Sequence, residues 1–225
     1  MQLGIERLLA SEDLQARLRG RRVALLGHPA SVNQRLEHSL DALIKQGVSI
    51  SCAFGPQHGM RGEAQDNMVE TADYKDPQHN LPVFSLYGDS RRLTDEMLSH
   101  FDVLLIDLQD VGCRIYTFIT TMFWALEACA QAGKELWVLD RPNPAGRPVE
   151  GGLLKKGFES FVGAAQLPMR HGMTMGELAR WYVATAKLDV ALEVVEMEGY
   201  TPDVGPGFGW PQIPWVNQSR GLRRG

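Results

Sequence analysis

Six short apolar runs, spread along the chain at residues 22–27, 48–54, 82–86, 102–108, 135–140 and 192–197, constrain the fold more than any other feature. Most are continuous rather than alternating. A strand open to water on one face alternates apolar with polar residues, whereas a strand covered on both faces does not. Helical patterns lie between the runs. Leu36, Leu40, Leu43 and Ile44 mark one helix face that ends before Gly47. Thr94 is placed to cap a short helix reaching His100. Residues 118–132 are apolar around most of their helical surface and stop at Gly133, a C-cap residue type. Thr174-Met175-Gly176-Glu177 has the spacing of a capping box and opens a helix to about Ala186. Strands alternating with helices predict an α/β fold with a doubly wound, mainly parallel sheet of about six strands. Right-handed crossovers narrow the strand orders without choosing one.

With 225 residues, 44% of them apolar and 22% charged, the chain has an ordinary globular make-up and enough length for a sizeable core. The net charge of -4 lacks the basic excess that neutralises phosphates, so no nucleic-acid or anionic-membrane partner is expected. No apolar run is long enough to span a bilayer. The N-terminal segment, residues 1–15, lacks the basic start and continuous apolar stretch of a signal peptide. Cys52, Cys113 and Cys129 are odd in number and show neither CxxC nor a Cys/His metal spacing. They fit reduced thiols and a cytoplasmic protein. One domain is expected over residues 1–198. The stretch 199–225, rich in proline, glycine and aromatics, reads as a tail without helix or strand period.

The unusual polar clusters all follow the carboxyl end of a predicted strand. They are His28-Pro29-Ala30-Ser31, the segment from Gly55 through Gln57, His58 and Arg61 to Glu63, Tyr87-Gly88-Asp89, the segment from Asp107 to Tyr116, and Asp140-Arg141-Pro142-Asn143-Pro144. Connectors at the opposite edge, such as Lys45-Gln46-Gly47, are short and plain. Open α/β sheets bind ligands at their carboxyl edge, so five loops point to one composite site.

The chemistry of that site is bounded by what is missing. There is no GxGxxG after the first strand and no GxxxxGK[ST], so no nucleotide cofactor is expected. GxSxG is absent. No histidine pair has the spacing of HExxH, so no metal is expected either. Carboxylates remain. Glu63, Asp107, Asp110, Asp140 and Glu150 lie on or near the functional edge. Glycoside cleavage needs a protonated acid at the leaving oxygen and a nucleophile, base or substrate group on the other face. A loop carboxylate against apolar neighbours can hold the raised pKa of such an acid. Asp107 and Asp140 equally suit a structural task, tying down backbone amides or an arginine. Arg61, Arg114 and Arg141 can clamp an anionic substrate such as a carboxylated sugar, or pair with those carboxylates. Tyr116, Tyr87 and Trp210 are candidates for stacking on sugar rings or for packing. His28, His58, Asn143 and His171 complete the set of substrate-contact candidates.

Seven motifs in register carry a family resemblance: the stretch from Phe54 to Gln65, that from Leu81 to Gly88, that from Asp107 to Thr117, Leu139-Asp140-Arg141-Pro142-Asn143-Pro144, Val149-Glu150-Gly151, Ser160-Phe161-Val162-Gly163 and Arg170-His171-Gly172-Met173-Thr174. Together they resemble the NamZ-like exo-β-N-acetylmuramidases, long catalogued as a domain of unknown function. The resemblance runs from about Leu3 to about Asn217. It implies a Rossmann-like domain followed by a second, smaller α/β domain, with the site in a cleft between them. It implies an exo-acting glycosidase that releases N-acetylmuramic acid from the non-reducing ends of peptidoglycan fragments. The lactyl carboxylate of that sugar would give the arginines a target.

Two departures stand out. The family's proposed catalytic glutamate lies in a Gly-Pro-Glu-His motif, and here that position is Gln57. An amide has no titratable proton near neutral pH. Gln57 can instead bind an N-acetyl group or orient water, and Glu63 is the nearest replacement acid. After Asn217 the family continues toward its second domain, while residues 218–225 do not follow the pattern. The expectation is a tail cut short before that domain, with Trp210 and Trp215 exposed or loosely packed. The sequence thus reads as a muramidase-type protein of cell-wall recycling, with a muramyl sugar or peptidoglycan fragment as its partner. Its rivals are a non-catalytic module that binds muramyl sugars or proteins, an inactive fragment, and an α/β enzyme of another reaction type.

Overall fold

A computed structural model of the chain describes residues 1–62, 70, 72–203 and 213–216. Among them seven strands form one sheet: β1 (Val23–Gly27), β2 (Ile50–Gly55), β3 (Tyr74–Lys75), β4 (Pro82–Ser85), β5 (Val103–Asp107), β6 (Glu135–Leu139) and β7 (Leu192–Val195). Their order is β3-β4-β2-β1-β5-β6-β7. All pairings are parallel except the short β3 against β4. Without β3 this is the 3-2-1-4-5-6 order of a Rossmann sheet. The chain winds outward from β1 to β4 and then returns to β5 on the other side of β1. A crevice therefore opens at the carboxyl ends of β1 and β5, where Gly27 is paired with Asp107.

The continuous apolar runs serve two cores at once. In β1, Ala24 and Leu26 join one core while Val23 and Leu25 join the other. β5 divides in the same way, with Leu104 and Ile106 opposite Val103 and Leu105. Period-two side-chain geometry makes this unavoidable once both sheet faces are covered. One face carries α4 (Asp95–Ser99), α5 (Thr117–Ala132) and α6 (Met175–Ala186). Phe123 of α5 and Tyr182 of α6 stack with centroids 3.9 Å apart. The other face carries α1 (Gly4–Ala10), α2 (Glu12–Leu18) and α3 (Ser39–Lys45), through Ile5, Leu8, Leu18, Leu40 and Leu43.

Local signals set most helix ends. Thr94 Oγ1 accepts the Met97 N–H, as its position before α4 implies. The capping box forms at α6: Thr174 Oγ1 accepts the Glu177 N–H and Glu177 returns the bond to the Thr174 N–H. Gly133 ends α5 in the left-handed region, at φ +62°. Three expectations need correction. Leu36 does not share a helix face with Leu40: it sits in a turn at φ +62°, is 56% exposed, and precedes an α3 that starts at Ser39. The cap there is His38, whose ring accepts the Leu40 N–H at 3.2 Å. The strand β3 has two residues, too few for any period to show. The N-terminal segment, which carried no helix assignment, forms two short helices hinged at Ser11, and Ser11 Oγ accepts the Leu14 N–H. No helix among the described residues is long and apolar enough to cross a membrane.

The first helix docks by close backbone approach. Gly4 N–H donates to the Asp140 carbonyl at 3.0 Å. A Cβ at Gly4 would lie 2.3 Å from the Asp140 nitrogen and 2.5 Å from the Val195 oxygen. These are backbone atoms that cannot rotate away. Gly4→Ala is expected to destabilise the protein by about 1–3 kcal/mol, as overpacking does. Urea unfolding followed by circular dichroism measures it.

Candidate functional site

The crevice is built around Asp107, the last residue of β5. Its carboxylate is fully enclosed and receives Arg141 Nε and Nη2 at 2.5 and 2.9 Å. Ser39 Oγ, in the first turn of α3, donates to the same group. Arg141 Nη2 also donates to the Val32 carbonyl at 2.8 Å. Ser31 Oγ accepts the His28 N–H at 2.8 Å and donates to the Asp107 carbonyl. One ion pair thus ties together the loops after β1, β5 and β6. Of the two tasks expected for Asp107, a reacting carboxylate or a structural tie to an arginine, these bonds serve the second.

Asp110 stands three residues further on, 2% exposed. Its Oδ2 accepts the Gly112 N–H at 2.6 Å and lies 3.1 Å from His171 Nε2. Gln109 is buried beside it and donates to the Asp110 and Pro142 carbonyls. Tyr116 is half-buried and packs on Phe118, with centroids 4.6 Å apart. Burial, and then the charge of Asp110, push its phenol pKa upward. Phe118 also meets the buried ring of His28, edge to face, at 4.9 Å.

The loop after β2 folds back on its own strand. A Cβ at Gly55 would lie 2.6 Å from the Met60 nitrogen, so the return requires glycine. Met60 is buried in the core and anchors the loop. Between these anchors Gln57 and His58 stay half-buried, and His58 adopts φ +76°. Gln57 Oε1 accepts the Thr117 hydroxyl of α5 at 3.0 Å. The ring of His58 lies 6.5 Å from that of His28. Glu63, with Trp210, falls outside the described residues. Trp215 is 43% exposed.

None of the three expected arginine clamps is idle. Arg61 grips Asp41 of α3 with both terminal nitrogens, at 3.0 and 2.7 Å, and reaches Asp76. This holds the Asp41 carboxyl down at about 2. Arg114 donates to the Gly152 and Leu167 carbonyls and pins the segment 149–170. Arg141 belongs to Asp107. Glu150 is exposed and pairs with Arg170 at 3.0 Å. Asn143 makes a local turn, its Oδ1 accepting from Ala145 N–H and its Nδ2 donating to the Met173 carbonyl. Tyr87 lies against Phe161 and under Arg91.

Asp140 caps α6. Its oxygens accept from the Arg141 and Gly176 amides and from Thr174 Oγ1. Burial outweighs these donors and lifts its pKa from 3.8 to about 6. His38 shifts the other way, to about 4, chiefly through burial and then through the charge of Arg61. It is neutral at pH 7, with Nε2 3.1 Å from the His28 carbonyl. His38, Ser39, Ser31, Gln109 and Thr117 are the residues that sequence reasoning missed. Ser31, Gln109 and Thr117 carried a signal, since each lies in a polar cluster or motif quoted above, whereas His38 and Ser39 carried none. The loop after β4 lines a hollow of about 540 Å³ with Ser85, Gly88, Asp89 and Asp73. Among the described residues no group of three or more His, Cys, Asp and Glu side chains is placed to hold a metal.

Comparison with known proteins is consistent with this architecture. The family described as "Exo-beta-N-acetylmuramidase NamZ, N-terminal" matches residues 23–224. The chain belongs to that family. Peptidoglycan beta-N-acetylmuramidase NamZ of Bacillus subtilis (strain 168) is 43% identical over 218 residues, which are 96% of this chain and 51% of that protein. Two crystal structures of DUF1343 family proteins from Bacteroides fragilis NCTC 9343 share the fold. One has TM-score 0.80 and 40% identity over 88% of this chain and 50% of its own. The other has TM-score 0.76 and 30% identity over 89% and 52%. The chain spans about half the length of each of these three proteins.

Two outcomes follow from the site's electrostatics. Asp107→Ala leaves Arg141 buried without a counter-charge and is expected to cost about 3–5 kcal/mol. Chemical denaturation measures it, and pairing it with Arg141→Met should recover part of the loss. For Asp140 the folded carboxyl holds its proton more tightly than the unfolded one. Its contribution is therefore fully present below about pH 4 and lost as pH rises through about 6. Asp140→Asn does not titrate. The stability difference between variant and wild type should shift in the variant's favour by on the order of 3 kcal/mol between pH 4 and 7. Thermal melts across that range test it.

Proposed function

We propose that the crevice at the carboxyl ends of β1, β2, β5 and β6 binds the muramyl sugar of a peptidoglycan fragment, as part of an exo-β-N-acetylmuramidase machinery. One observation carries the reading: Gln57, His58 and Tyr116 stand half-buried over an enclosed layer of His28, Asp107, Asp110 and His171 at the switch point of the sheet. Imidazoles, amides, a phenol and carboxylates suit a sugar's hydroxyls and amide. The loop after β1 carries no glycine through which a pyrophosphate could approach the backbone, which argues against a nucleotide. Membership of the NamZ family and the printed activity of the Bacillus relative support the same substrate class. The free thiols of Cys52, Cys113 and Cys129 fit a reducing compartment, as recycling in the cytoplasm requires.

A second reading, binding without turnover, is favoured by Gln57. Its carbonyl oxygen is taken by Thr117, which leaves the NH2 end for other partners. It cannot supply an acid proton. In the catalytic reading Glu63 takes that task.

Two measurements separate the readings: turnover of a chromogenic N-acetylmuramide, and calorimetric titration with free N-acetylmuramic acid. Turnover that is abolished in Glu63→Gln supports the hydrolase with a replacement acid. Binding without turnover supports the module. In that case Gln57→Glu, which restores an acid, is expected to raise turnover by on the order of 10²-fold or more, the usual worth of general acid catalysis. A protein that neither binds nor turns over these sugars refutes the muramyl assignment.

A further inference from the structure

We propose that Asp110 is the acceptor for the acetamido N–H of a bound N-acetylated sugar, an assignment that rests on the muramyl-sugar reading above. The carboxylate follows β5 at the switch point and is 2% exposed. One of its oxygens is fixed. Oδ2 takes the Gly112 N–H at 2.6 Å and sits 3.1 Å from His171 Nε2. The histidine tautomer follows from the far side of the ring, where Nδ1 accepts the Met173 N–H at 3.2 Å. Nε2 therefore carries the proton and donates it to Asp110. With both nitrogens committed, His171 orients the carboxylate and has no free edge for a ligand.

Oδ1 is different. It is buried and has no hydrogen-bond partner among the described residues. Taking a carboxylate oxygen out of water without a donor is costly, and such an atom in a crevice calls for a ligand donor. The chemistry of that donor can be narrowed. A hydroxyl would bring two lone pairs into the same enclosure, each needing a donor of its own. An amide N–H brings one donor and no acceptor at nitrogen. It completes Oδ1 without opening a new vacancy. Tyr116, half-buried, lies near enough for the charge of Asp110 to push its phenol pKa upward.

The test is a two-by-two titration by calorimetry. Wild type and Asp110→Asn are each titrated with N-acetylmuramic acid and with 3-O-lactylglucose, in which a hydroxyl replaces the acetamido group. Asparagine keeps the shape and still accepts from Gly112 and His171 through its oxygen. Its NH2 then stands where Oδ1 stood, donor against donor. The expected result is an affinity loss of about 10-fold to 100-fold for N-acetylmuramic acid, with about threefold or less for the lactylglucose. Equal losses for both sugars, or no loss for either, overturn the assignment while leaving the muramyl reading intact. A wild type that binds neither sugar overturns both. If Asp110→Asn fails to fold, as judged by its thermal transition, the wild type alone decides: the acetamido sugar should bind at least about tenfold more tightly, and equal affinities overturn the proposal.

Discussion

The buried ion pair between Asp107 and Arg141 is the constraint on which the crevice depends. Both side chains are nearly inaccessible; Arg141 also bonds to the Val32 carbonyl in the loop that follows β1, and Asp107 to Ser39 in the first turn of α3. A charge so deeply buried is tolerable only when paired and fully hydrogen-bonded. Ser39 and the Val32 carbonyl complete that shell. Three loops that diverge in sequence are held to one geometry, because moving any of them strands a charge.

The same logic governs the other cations. A crevice that binds a carboxylated sugar invites an arginine, yet Arg61, Arg114 and Arg141 all bond to groups of the chain itself. Beside them Gln57, His58 and Tyr116 stay half-buried and offer an amide, an imidazole and a phenol. Such groups suit directed hydrogen bonds and ring contact more than net charge. The enclosed layer beneath supplies the charge. Asp110 is turned by His171 and Gly112 so that one oxygen is spent and the other is not.

Much of the fold was legible because two local signals agreed. Continuous apolar runs marked strands covered on both faces, and Thr94, Gly133 and Thr174 marked helix ends. Where either signal weakened, the reading slipped. Leu36 has the spacing of a helix face but adopts φ +62° in a turn capped by His38. Two residues of β3 carry no period. The segment around Ser11 interrupts what would otherwise read as one helix, because its hydroxyl caps the second of two short ones.

For the site, the sequence by itself determined the sheet edge at which the polar loops would lie, though Gly88 and Asp89 after β4 line a hollow of their own rather than the crevice. Polar residues placed after each strand must gather at one edge of a parallel sheet, whatever the strand order. It also determined the residue types available there, and that position 57 carries an amide. Only the tertiary structure decided which of those groups face the crevice and which support it. That choice depends on partners distant in the chain: Arg141 for Asp107, His171 for Asp110, Thr174 and Gly176 for Asp140, Asp41 for Arg61. A carboxylate or an arginine has the same formula in either role. Burial and the identity of its partner set its charge, its pKa and its remaining hydrogen bonds, and those are properties of the folded arrangement rather than of the residue.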